Sequence, residues 1–220
     1  MQEYNNCYDK MSSNSDLINM SQRDRRIEVS EAAWRVIVRE GLDRTSMRAI
    51  AQELGCTTGV VTHHFRDKQE LILFALNQVT QRLQTAMEIS IQGISGIERL
   101  IKMLSVFLPL DNERRDILKV WLAFLGYAVG RESLMAEHQI CAARLREVII
   151  GELKALQSAK LIRGDLEPEL EANALLAIVN GVSLDSLIQE KRLSPARQQL
   201  VIRRYVEELL CSCTTSGIDS

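Results

Sequence analysis

A chain of 220 residues, 46% of them hydrophobic, is long enough for one small and one medium domain and apolar enough to bury a core. A net charge of −2 excludes a wholly basic coat protein, and three prolines with little strand-type alternation favour an all-α fold. Cys7, Cys56, Cys141, Cys211 and Cys213 are odd in number and lack zinc-ligand partners at a useful spacing, so they read as reduced thiols; neither a metal nor a cofactor is expected.

Residues 1–20 are rich in Asn and Ser without a sustained period and read as a flexible leader. A first helix is predicted from Arg23 to just before Gly41, with Val29, Ala33, Val36 and Ile37 inward. Thr45 or Ser46 caps a second helix, in which Ile50, Ala51 and Leu54 share an apolar face and Ala51 permits close approach. Gly55 supplies a left-handed turn. Thr57 is the N-cap of a third helix anchored inward by Val60, Val61 and Phe65, which leaves Thr58, Gly59, Thr62 and His63 on the outer face. Asp67 and Glu70 form a D-x-x-E capping box for a fourth helix over 68–90, whose apolar pattern opens with Leu71, Leu73, Phe74 and Leu76. Two short helices, a tight turn and an outward row of small polar side chains are the layout of a helix-turn-helix that enters the DNA major groove. The plain alternative is a helical hairpin within a bundle.

Downstream, Gly93, Ser95 and Gly96 mark a break, and helices are predicted over 97–108, 113–130, 132–159, 168–189 and 195–211, the last with Ser194 as N-cap and Pro195 in its first turn. The reading divides the chain into a leader, a DNA-binding domain over 21–83, a regulatory and dimerisation domain over 84–211, and a flexible tail over 212–220. In the helix over 168–189, Leu170, Ala174, Ala177, Gly181, Leu184 and Ile188 follow alternating steps of four and three residues. Leu175, Leu176, Val179, Val182 and Leu187 make a second stripe beside them. A helix apolar on two sides must bury both, so this helix and the last one, with Ile202 and Tyr205, are the expected homodimer interface; a central helix of a monomeric bundle is the alternative.

A ligand pocket is expected from Met103, Phe107, Trp121, Phe124 and Tyr127, whose aromatic faces suit a quaternary ammonium. A packed aromatic core without a cavity accounts for the same residues. Asn180 and Asp185 are polar on an apolar helix and fit either ligand orientation or dimer register.

At residues 23–83 the chain resembles the TetR family of bacterial one-component regulators. The likeness rests on Ala32-Ala33, Gly41, Thr45, Arg48, Ile50-Ala51, Gly55, Gly59, His64-Phe65, Lys68 and Leu71, without a gap. Thr62 departs from the Tyr common at that place. A hydroxyl followed by His there, and the stretch LKVWLAFLGYAVG over 118–130, resemble the BetI subgroup, which represses choline and glycine betaine genes.

The resemblance implies a bacterial repressor that binds a palindromic operator in double-stranded DNA as a homodimer, and that a small-molecule effector releases. Its DNA-binding residues would be Thr45, Ser46, Arg48, Thr57, Thr58, Gly59, Val60, Thr62, His63, His64 and Lys68, with Lys68 on a phosphate. Two roles stand for His64, a phosphate contact or packing beside Phe65. An activator of the same fold, a helical adaptor and an enzyme are the alternatives. The enzyme lacks a Gly-rich phosphate loop, a metal-ligand set and a nucleophile elbow. No signal peptide opens the chain, and its uncharged runs at 120–130 and 173–184 are too short to span a bilayer, so a cytoplasmic location without membrane contact is expected.

Overall fold

Residues 5–40 contain neither proline nor glycine, so nothing in the sequence stops a helix upstream of Arg23. In a computed structural model, which describes the backbone of residues 5–210 and the side chains of 22–210, helix α1 accordingly runs over Asn5–Glu40 rather than starting near Arg23. Residues 1–4 of the expected leader and the tail from 211 onward, with Cys211 and Cys213, lie outside the described residues. The described secondary structure is helical: α2 (Met47–Glu53), α3 (Thr58–His64), α4 (Lys68–Ser90), α5 (Gly96–Ser105), α6 (Asn112–Ala128), α7 (Glu132–Ser158), α8 (Pro168–Ile188) and α9 (Pro195–Glu207). A lone antiparallel bridge joins Ile162 and Leu210.

The chain forms two units. Among the described residues, one comprises 5–79 with Val120–Tyr127; the other comprises Thr80–Lys119 with 128–210. The division is not linear in sequence, because the second half of α6 groups with the N-terminal helices.

In the first unit, Val29, Ala32 and Ala33 of α1 meet Ile50 and Ala51 of α2, Val61 of α3, Phe65 and Leu71 in one buried cluster. The α2–α3 turn is made by Gly55 at φ +65°, with Cys56 N–H donating to Ala51 O (2.9 Å) and Gly55 N–H to Gln52 O (3.1 Å). That pair of bonds closes a helix end around a left-handed residue, a conformation that costs little only for glycine. Asp67 caps α4 as expected, accepting from Glu70 N–H at 2.8 Å, while the Glu70 carboxylate reaches back to Arg66 N–H at 2.9 Å.

The second unit is built on α5, α7, α8 and α9, around Leu100, Leu104, Ile149, Leu153, Leu175, Val179, Ile202 and Val206. On α8 the two stripes separate as the period requires. Leu175 and Val179 are buried, and Leu176, Val182 and Leu187 are half-buried. Leu170, Ala174, Ala177, Gly181, Leu184 and Ile188 are all exposed, Ile188 to 70%. With both faces apolar, α8 is long and apolar enough by composition to cross a bilayer, which its uncharged run alone did not disclose. Ile202 corrects the expected interface: it is 1% exposed and belongs to this unit's own core, whereas Tyr205 is exposed.

Candidate DNA interface

The seven-residue α3 owes its outer face to two inner anchors. Val61 and Phe65, four residues apart, are fully buried, which fixes the rotation of the helix. Thr57, Thr58, Gly59, Thr62 and His63 are therefore exposed, and Val60 and His64 are half-buried. Thr57 occupies the N-cap without using its side chain as a cap. The Thr62 hydroxyl donates back to Thr58 O and Gly59 O, each at 3.2 Å, and so presents its lone pairs outward. A Cβ at Gly59 would meet only Thr57 Oγ1, at an ordinary 3.7 Å. The fold itself thus tolerates alanine there, and the bare backbone suits close approach by an outside surface.

Before α2, Ser46 is the cap, accepting from Ala49 N–H at 3.1 Å, and Arg48 is exposed beyond it. Thr45 corrects the expected set of DNA-facing residues. It is 2% exposed, and its hydroxyl donates to Gly41 O at 2.8 Å, so it closes the α1–α2 turn instead. Lys68 stands at the first residue of α4. Its ammonium donates to Leu42 O at 2.6 Å and lies 5.5 Å from the centre of the Tyr127 ring, within reach of a cation–π attraction.

His63 and His64 meet edge to face with ring centres 5.0 Å apart. Burial, with the neighbouring charges of His63, Arg25 and Arg26, holds the His64 pKa below its ordinary value of 6.5. The free protein therefore keeps this imidazole neutral near pH 7, and acidification charges it at some cost to folding, since the unfolded chain takes up the proton first. A phosphate nearby favours the charged form and reverses the preference. DNA affinity is thus expected to rise as the pH falls from about 7.5 to about 5.5, and the rise to shrink in His64→Gln. Fluorescence anisotropy with a labelled duplex checks this; a wild-type affinity independent of pH would contradict it.

Arg26 escaped the sequence reading. Its guanidinium lies 4.5 Å from the Phe65 ring centre and 4.8 Å from that of Phe74, and donates to Glu70 at 2.8 Å. Its one mark in the sequence is its position a turn before Val29, on the face that α1 buries.

The residues expected to line a ligand pocket are divided between the units. Trp121, Phe124 and Tyr127 belong to the first, with Phe124 fully buried and the other two half-buried. Met103 and Phe107 belong to the second, where Phe107 packs against the core. Met103 and Phe124 are corrections: each is only 1% exposed, a buried packing side chain, Met103 at helical spacing with Leu100 and Leu104. Between α5 and α9 lies an open depression of about 270 Å³ that the sequence did not suggest; Glu98, Lys102, Ser105, Gln199, Leu200 and Arg203 line it. Arg203 spans both Glu98 oxygens there, at 3.1 and 2.9 Å. Among the described residues no group of His, Cys, Asp and Glu could hold a metal ion.

Comparison with known proteins agrees with both parts of this layout. Residues 96–211 match the family model for the BetI-type transcriptional repressor C-terminal domain, and residues 30–74 match that for bacterial regulatory proteins of the tetR family. The transcriptional regulator PksA of Bacillus subtilis is 28% identical over 187 residues, 84% of this chain and 89% of its own. BetI of Vibrio vulnificus is 26% identical over 190 residues, 84% of this chain and 92% of its own. Among solved structures, a transcriptional regulator of Rhodococcus superposes with a TM-score of 0.72 at 27% identity, over 84% of this chain and 95% of its own. One from Saccharomonospora viridis, solved with choline, gives a TM-score of 0.80 at 22% identity, over 86% of this chain and 98% of its own.

Proposed function

The chain belongs to the TetR family of bacterial transcriptional regulators, with a BetI-type C-terminal domain, and on that premise we propose that it is a dimeric repressor released from a palindromic operator by a small cationic effector. The observation that carries the DNA-reading part is the outer face of α3, where Thr57, Thr58, Gly59, Thr62 and His63 stand exposed over buried Val61 and Phe65. Small hydroxyl and imidazole side chains can read base edges, and Ser46 and Arg48, also exposed, suit phosphate oxygens.

A seven-residue helix makes few base contacts, so high specificity needs a second copy on a second half-site. The exposed apolar stripe of α8, continued on α9 by Tyr205, supplies the surface for a second chain. An obligate interface of this kind buries about 2,000 Å² or more. Dimerisation also accounts for the apolar composition of α8 without a membrane.

For the signal, the Saccharomonospora viridis relative binds choline, and α6 of this chain offers the half-buried rings of Trp121 and Tyr127. A quaternary ammonium over such rings gains about 2 kcal/mol per desolvated contact. Tyr127 is also the ring beside the Lys68 ammonium, at the first residue of α4. A cation bound on Tyr127 repels Lys68 and so acts on the helix start that follows the recognition helix.

Selection from a random duplex library by the wild-type protein tests the DNA reading. An inverted repeat is the expected product; a pool without enrichment would count against it.

A further inference from the structure

We propose that Arg26 is a positioning residue for DNA reading: from α1 it fixes the exit of α3 and the entry of α4, and so sets base preference without touching DNA. The inference rests on α3 being the groove-entering helix. Phe65 ends that helix in extended conformation, its N–H donating to Val61 O at 3.0 Å. Phe74 lies in the second turn of α4, and the two rings meet edge to face at 5.4 Å. The Arg26 guanidinium lies against both, 4.5 and 4.8 Å from their centres. Its Nη2 donates to Glu70 Oε1 at 2.8 Å. The other Glu70 oxygen holds Arg66 N–H, and Asp67 holds the Glu70 N–H. One side chain therefore joins the groups that set the three-residue α3–α4 link, Phe65 to Asp67.

Stability alone does not ask for a guanidinium here. The side chain is only 34% exposed, and its Nε is buried without a hydrogen-bond partner among the described residues. An orphaned buried donor is a cost, and an apolar side chain of similar length would fill the slot without it. What Arg adds is a rigid planar fork that fixes two rings and a carboxylate in one mutual geometry, which Lys cannot reproduce. Base-edge hydrogen bonds weaken steeply once lengthened or bent, so a small rotation of α3 degrades them. Phosphate contacts carry no sequence information, and long side chains can follow the shift.

The test compares wild type, Arg26→Lys and Arg26→Met on the duplex enriched by the wild-type protein and on a scrambled duplex of equal composition, over a salt series. Arg26→Lys and Arg26→Met should lose about tenfold or more on the enriched duplex, the scale of one base contact. Both should stay within about twofold of wild type on the scrambled duplex and keep the wild-type salt slope. Glu70→Gln removes the carboxylate charge with little change of volume; it should lose discrimination in the same sense and keeps the test decisive if Arg26→Met fails to fold. Equal losses on both duplexes with a slope lower by about 1 would make Arg26 a phosphate contact and overturn the proposal. Wild-type affinities in Arg26→Lys and Glu70→Gln would overturn it as well. Failure of the wild-type protein itself to enrich any duplex would instead sink the DNA reading, and this inference with it.

Discussion

Gly181→Glu should leave the protein monomeric at micromolar concentration and cost it tight binding to a palindrome. Among the described residues, a Cβ at Gly181 would meet nothing within 4 Å beyond its own stretch of helix, and the position is exposed. Glycine in a helix interior is less favourable than other residues by up to about 1 kcal/mol, so the isolated fold gains from the change if anything. Any loss must therefore come from a partner surface. On α8, Gly181 lies among exposed Ala174, Ala177 and Leu184, which let a second helix approach closely. A glutamate there adds bulk and puts a desolvated charge on each side of a twofold interface, which costs about 3–5 kcal/mol when no partner is supplied. Sedimentation velocity reads the result directly. A mutant dimer as tight as wild type, or a wild-type chain already monomeric, would remove α8 from the interface.

The second large effect concerns the signal. In a Trp34→Phe background, choline or betaine aldehyde should change the fluorescence of Trp121 and release the bound duplex. The chain has two tryptophans, Trp34 on α1 and Trp121 on α6, so the substitution leaves Trp121 as the reporter. Tyr127→Leu should weaken the effector about 30-fold, the equivalent of one desolvated cation–π contact of about 2 kcal/mol. The same change removes the ring beside Lys68, so residual effector should release DNA less completely even at saturation. Equilibrium titration of fluorescence, and of anisotropy with labelled duplex, separates the two losses. If Trp121→Ala folds, dimerises and responds like wild type, Trp121 is a packing residue and the effector binds elsewhere.

Much of the DNA head was legible because its determinants are local. A glycine at 55, a capping box at 67 and 70, and inward residues at 61 and 65 each act within one or two turns of chain, and the structure has them in those roles. Periodicity also disclosed both stripes of α8, since it reports how many faces of a helix are apolar. It does not report which apolar face meets the chain's own core. The same pattern that points Ile202 to a partner and Met103 to a ligand fits a core position, and both pack at home. Thr45 was misplaced for a related reason: a hydroxyl beside a helix start reads as exposed, yet here it satisfies a carbonyl in the turn behind it. Arg26 and Lys68 lie beyond local reasoning altogether. Their partners are 44 and 26 residues away, and only the folded helices bring them together.

Affinity for the enriched inverted repeat and for its scrambled counterpart, measured by anisotropy over a salt series, tests the central claim most directly. A repressor that reads DNA as proposed binds the repeat about 1,000-fold or more tightly than the scrambled duplex, as two chains per duplex, with log affinity falling steeply against log salt. Equal affinity for the two duplexes, or an affinity indifferent to salt, would contradict it.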